Sequence, residues 1–467
     1  MKGHRNKFIA TLPPLLGLVA LAAIVLWWSW HPEAGFKLRL PGSDAAPGGE
    51  SGGANPVLAG KLIPAAGHAA DLPGAWPQFR GPNRDGISSD ASNLSRDWNT
   101  AAPRELWALD VGEGYAGVAI RNGRAYLLDY DRDHKQSALR CLSLADGQEI
   151  WRFAYPLTLK RNHGMTRTVP VVTDKFVVAL DSKCNVLCLD AATGELRWSI
   201  SLVRDFGVTV PQWYAGQCPL VDGGKVILAP GGKDALLLAV DLETGKPLWQ
   251  TPNPRDWKMT HSSVQPMDFA GRRLYVYCGS GGVVGVDAKD GALLWETSDW
   301  KISIATVPSP LPLDGGKIFL TGGYNAGSLM LQVVEENGKL VLHAAFRLAP
   351  GVFGATQHTP IFKDGHLYGV RADGQFVCLD LNGKVAWTSG PSRTFGLGSF
   401  LMADGLIYVL NDNGKLSLLE ASSERFNLLG QAQVLKDHES WGPMAFASGR
   451  LVARDLTRVV CLNVAAK

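Results

Sequence analysis

The sequence predicts an all-β protein: an eight-bladed β-propeller whose N- and C-terminal strands share the last blade, preceded by one transmembrane helix. Three observations carry this. A strand–turn–strand pattern recurs at a fixed period, the last unit lacks an outer strand that the first unit can supply, and the N-terminus holds one long apolar run. The repeat is clearest at Leu238 to Trp249, LAVDLETGKPLW, and returns as CLSLADGQEIW (Cys141 to Trp151), CLDAATGELRW (Cys188 to Trp198), VDAKDGALLW (Val286 to Trp295) and CLDLNGKVAW (Cys378 to Trp387). A degraded copy, VVEENGKLVL, ends at Leu342. Trp151, Trp198, Trp249, Trp295, Leu342 and Trp387 are 47, 51, 46, 47 and 45 residues apart, a spacing that one four-stranded blade requires.

From the N-terminus, residues 1–7 form a basic tail. Residues 8–30 lack ionisable side chains and are long enough to span a bilayer as a signal-anchor. A cleaved signal peptide is the competing reading, against which stands the poor cleavage context SWHPEA. The anchor would use the membrane as a partner and place the rest of the chain outside, giving a single-pass inner-membrane protein with a periplasmic propeller. Residues 31–75 read as a flexible Gly/Pro/Ala/Ser linker. Residues 76–103, opening WPQFRGPNRDGIS, read as an irregular strap against the propeller with Trp76 and Phe79 buried, and residues 104–467 as the propeller.

Eight inner strands are expected at Tyr115–Ile120, Thr166–Val171, Gln217–Val221, Ser263–Met267, Thr306–Leu311, Gln357–Phe362, Gly398–Met402 and Gly442–Ala447, most followed by Gly-containing turns. The eighth unit ends without an outer strand, and Glu105-Leu106-Trp107 supplies one, removing an exposed edge. The indoles of Trp107, Trp151, Trp198, Trp249, Trp295 and Trp387, with Leu342 in the degraded copy, are expected to dock between blades. The seven cysteines lack CxxC spacing; Cys141, Cys188, Cys378 and Cys461 recur before Leu and read as small core residues. A net charge of +3, with no basic run beyond the N-terminus, argues against nucleic acid.

The motif (A/V)-x-D-x-x-T-G-x-x-x-W resembles the docking motif of the pyrroloquinoline quinone (PQQ) repeat propellers, over roughly 76–464. The resemblance implies one of two functions. One branch comprises quinone-dependent dehydrogenases of alcohols or sugars, using PQQ with calcium. The other is the non-catalytic propeller of the outer-membrane barrel assembly machine, which needs no cofactor. The dehydrogenase branch uses an adjacent Cys-Cys pair, and no two cysteines are adjacent here. The expectation is therefore a non-enzymatic, exported, membrane-anchored scaffold binding other envelope proteins, with the PQQ enzyme as the alternative.

Channel candidates are Arg167, Gln217, His261, Ser262, Gln357 and His358, where Arg and His would hold an anionic or quinone-like group. Phe206, Trp213, Tyr214 and Trp441 are candidate partner contacts; the loop Phe206 to Tyr214 would equally serve to cap the channel. Asp129, Asp131 and Asp133 alternate and are weak candidates for a hard cation, without EF-hand spacing.

Overall fold

The structure is a computed structural model describing residues 5–30, 53–90, 93–98, 100, 102–436 and 438–466. It divides into two units, 1–44 and 45–467. In the first, Arg5–Trp30 is helical. Among the described residues, however, no helix is long and apolar enough to cross a membrane. The transmembrane helix attached to the expected fold, the membrane partner it implied and the single-pass inner-membrane location are corrected accordingly. Residues 1–4 of the basic tail and 31–52 of the linker lie outside the described residues.

The second unit is a ring of eight antiparallel blades, each with four strands of its own motif. The last blade is completed by Arg104–Asp110, which pairs with Arg458–Asn463 and sets Trp107 opposite Cys461. The inner strands begin two to five residues later than expected, at Ala119, Val171, Leu220, Gln265, Leu311, Ile361, Phe400 and Ala445. The residues before them are the ones that reach the central channel.

One register recurs around the ring. The outer-strand tryptophan pairs with the third-strand residue just before a bulge: Cys141 with Trp151, Cys188 with Trp198, Ala239 with Trp249, Gly285 with Trp295 and Cys378 with Trp387. The opposing residue is always small, because the indole lies beside it; a Cβ on Gly285 would stand 2.1 Å from the Trp295 ring. This accounts for the four recurring cysteines, Cys141, Cys188, Cys378 and Cys461; all seven cysteines are buried and free. Each early ring then rests on the turn glycine of the next blade. A Cβ on Gly147, Gly194, Gly245 or Gly291, all at positive φ, would meet Trp107, Trp151, Trp198 or Trp249 within 2.4–2.7 Å.

Two blades depart from this. In the fifth, the strands Gly327–Glu336 and Lys339–Leu348 are ten residues each, and the residue paired before the bulge is Phe346, opposite Met330. Phe346 and Leu348 meet the next turn glycine, Gly383. Leu342 instead pairs with Val333 and packs against the core cluster that includes Trp295. In the seventh blade the position falls on Gly430, opposite Leu418. There the strap residue Trp98, 4% exposed, fills the slot: a Cβ on Gly430 would lie 2.6 Å from its own Cβ, and its ring stands 5.8 Å from Tyr408.

The segment before the propeller is built into the ring as well. Asn55 Oδ1 accepts from Val57 N and caps a 3-10 turn over Pro56–Ala59. Lys61–Pro64, inside the segment whose composition reads as linker, adds a fifth strand to the outer edge of the first blade. Ile87–Ser88 adds one in parallel to the inner edge of the seventh.

Candidate recognition cavity

A cavity of about 420 Å³ occupies the centre of the ring. The strap forms one wall. Trp76 exchanges backbone hydrogen bonds with Ile120, Pro77 O accepts from Val172 N, and Gly86 O accepts from Met402 N. Arg80 fastens the far side: Nη1 donates to Thr359 O (2.5 Å) and Nη2 to Pro360 O (2.7 Å) and Asp85 O (2.8 Å). Arg84 donates to Pro219 O and Gln78 Oε1. Burial pushes both guanidinium groups down to about 10, so both stay charged at neutral pH. Trp76 is buried and Phe79 partly so, both lining the cavity.

Of the expected channel residues, Arg167, His261, Gln357 and His358 line this cavity. Each stands just before an inner strand, where the chain turns towards the axis. Arg167 Nη2 donates to Asn162 O (2.9 Å) and His163 O (2.8 Å), and its guanidinium lies 5.7 Å from the Tyr115 ring. Burial lowers it to about 10. His261 Nε2 donates to Tyr214 O (3.0 Å); burial and then the Arg167 charge push the imidazole down to about 4, so it is neutral at pH 7. His358 Nε2 donates to Gly398 O (2.7 Å), and burial again lowers it. Gln217 is drawn away: its amide exchanges hydrogen bonds with the Ala229 backbone (3.2 and 2.8 Å) and serves the third blade. Ser262 is fully buried.

The expected partner contacts also divide. Trp213 and Trp441 line the cavity and remain partly exposed. Trp441 stacks on Tyr115 at 5.3 Å and donates Nε1 to Asp412 Oδ1 at 2.8 Å. Tyr214 is 2% exposed, its hydroxyl tied to the Lys160 backbone. Phe206 ends the helix Leu202–Phe206 and packs on the second-to-third blade core. Sequence reading missed Arg80, Tyr115, His163 and Tyr324 as lining residues. The signal for Tyr115 was present, since it stands four residues before the first inner strand, as Arg167 does before the second.

The aspartates of the DYDRDH stretch do not converge. Asp129 accepts from Arg140 (2.9 Å) and Gly112 N, while Asp131 pairs with His134. Among the described residues no group of three or more His, Cys, Asp or Glu is placed to hold a metal ion.

Comparison with known proteins fits this architecture. The outer membrane protein assembly factor BamB of Shewanella oneidensis is 24% identical over 290 residues, covering 58% of this chain and 71% of its own. That of Yersinia pestis is 25% identical over 312 residues, covering 55% and 75%. The crystal structure of BamB from Moraxella catarrhalis superposes with a TM-score of 0.52 at 14% identity, over 77% of this chain and 99% of that one. A family model described as outer membrane protein assembly factor BamB matches residues 134–389 and 297–440, about two thirds of the chain, and the chain belongs to that PQQ_2 family.

Proposed function

We propose that this propeller is a docking scaffold for envelope proteins during outer-membrane protein assembly. The reading is supported most by the open side of the cavity, where Trp213 and Trp441 stay partly exposed on a ring that is otherwise closed. A rigid ring presenting aromatic side chains from its loops suits recognition, because such residues bring large contact area at low ordering cost. The strap residues Trp76, Phe79 and Arg80 form part of the cavity wall and are tied to the ring, whereas the two indoles keep exposed surface for a partner. Family membership supplies the process in which such a partner would be met.

The test is photo-crosslinking in intact cells, with a photoreactive residue placed at Trp213 and, as control, at Leu293 on an outer strand. Discrete adducts with envelope proteins from position 213 and few from position 293 support docking at the cavity. Equal labelling from both, or turnover of alcohols or aldoses by the purified protein with added PQQ and calcium, overturns it.

A further inference from the structure

We infer that the cavity mouth recognises an extended acidic peptide segment of a partner, seating an aromatic side chain beside a carboxylate; this rests on the docking reading above. Among the described residues, none that lines the cavity is Asp or Glu. The carboxylates nearest to it are committed elsewhere. Glu439 accepts from the Tyr115 hydroxyl (2.7 Å), Asp412 from Trp441 Nε1 (2.8 Å) and Leu397 N (2.7 Å), and Glu113 from Arg161 Nε (2.6 Å). Arg167 is left with backbone carbonyls alone at Asn162, His163 and Gly164. Carbonyls satisfy its N–H groups but carry no net charge, so among the described residues this partly buried cation at the cavity has no carboxylate paired with it.

A second observation points the same way. Arg84, 3% exposed beside the lining residues Phe79 and Cys218, has Nε and Nη2 without any hydrogen-bond partner. The Arg167 guanidinium on the cavity wall, with that of Arg84 buried behind the lining residues, makes a positive field that attracts anions. Trp213 and Trp441 add faces for an aromatic ring, and the volume suits one or two side chains, not a folded domain.

The extended form follows from what adjoins the cavity. Through Leu397, common to both, it meets a groove between the sixth and seventh blades lined by Asp373, Asp412, Asn411 and Asn413. The side-chain amide N–H groups of Asn411 and Asn413 there suit the backbone carbonyls of a chain leaving the cavity, and a compact small molecule would not reach them.

The test uses the purified full chain and two labelled peptides, one with repeated Trp-Asp-Gly units and one with Asp replaced by Lys, read by fluorescence anisotropy. Saturable binding of the acidic peptide is expected, at least tenfold tighter than the lysine peptide, weakening with salt. Arg167→Gln and, separately, Trp213→Ala should each weaken it about tenfold at unchanged melting temperature; Trp213 is partly exposed, so that variant reads binding even if the Arg167 variant misfolds. Equal binding of the two peptides, or full affinity in both variants, overturns the inference. Equally tight binding of N-acetyltryptophan alone also overturns it, by showing a small-molecule site. If crosslinks from position 213 persist while the acidic peptide fails to bind, docking stands and this chemistry falls; loss of both removes both.

Discussion

The second and seventh blades meet the same packing requirement from opposite directions along the chain. In the second, Trp198 on the blade's own outer strand pairs with Cys188, donates Nε1 to Leu242 O at 2.8 Å and lies over Gly245 of the next blade. In the seventh, the third strand carries the larger Leu418, the outer strand carries Gly430, and the indole comes from Trp98, over three hundred residues earlier. Side-chain volume is thus redistributed across the slot while the slot stays filled, as close-packed interiors require. A ring closes only if every blade interface is complete. The comparison teaches that a degenerate repeat can be repaired by a segment outside the repeats, which makes the strap part of the folded core.

That comparison can be broken by truncating each indole. Trp198→Ala should cost about 3–5 kcal/mol, the usual cost of deleting a buried aromatic, read as a fall in the urea midpoint. Trp98→Ala should cost nearly as much, about 3 kcal/mol; a loss below about 0.5 kcal/mol, typical of surface positions, would show that the strap merely lies on the ring. The fifth blade sharpens the point. Phe346→Ala should cost about 2 kcal/mol and Leu342→Ala about 1 kcal/mol, since both are partly exposed and only Phe346 occupies the docking register. The reverse order would restore Leu342 as the docking residue. As small as Leu342→Ala is Trp98→Phe, at about 1 kcal/mol, because a phenyl ring keeps the contact with Tyr408 while leaving part of the slot empty.

What the sequence made legible follows from what repeats. Eight blades and the completion of the last one by the segment Glu105-Leu106-Trp107 could be read because each unit testifies to the others. Trp98 occurs once, outside any period, and nothing marks it as a docking residue until Gly430 is seen opposite Leu418. Leu342 fitted the spacing from Trp295, but the longer strands of the fifth blade carry the docking position four residues further, to Phe346. Lys61–Pro64 sits in a composition typical of linkers, and a strand of four residues has no periodicity to detect. In the cavity, Arg167, His261, Gln357 and His358 were legible because they precede inner strands. Gln217 shares that placement, yet its amide is consumed by Ala229, a contact only coordinates reveal. Arg80 was illegible because it belongs to the strap and joins the wall by reaching Thr359 and Pro360.

The most direct measurement is a double-mutant cycle between Trp98 and Gly430, read by urea unfolding. Gly430→Ala places a methyl group where the Trp98 side chain leaves its backbone, so in the native background it should cost about 2 kcal/mol or more, as overpacking does. In the Trp98→Ala background the space is free, and the same change should cost less than about 0.5 kcal/mol, giving a coupling of about 1.5 kcal/mol. Equal costs in the two backgrounds would contradict the account, because Trp98 would then not occupy the slot that completes the seventh blade.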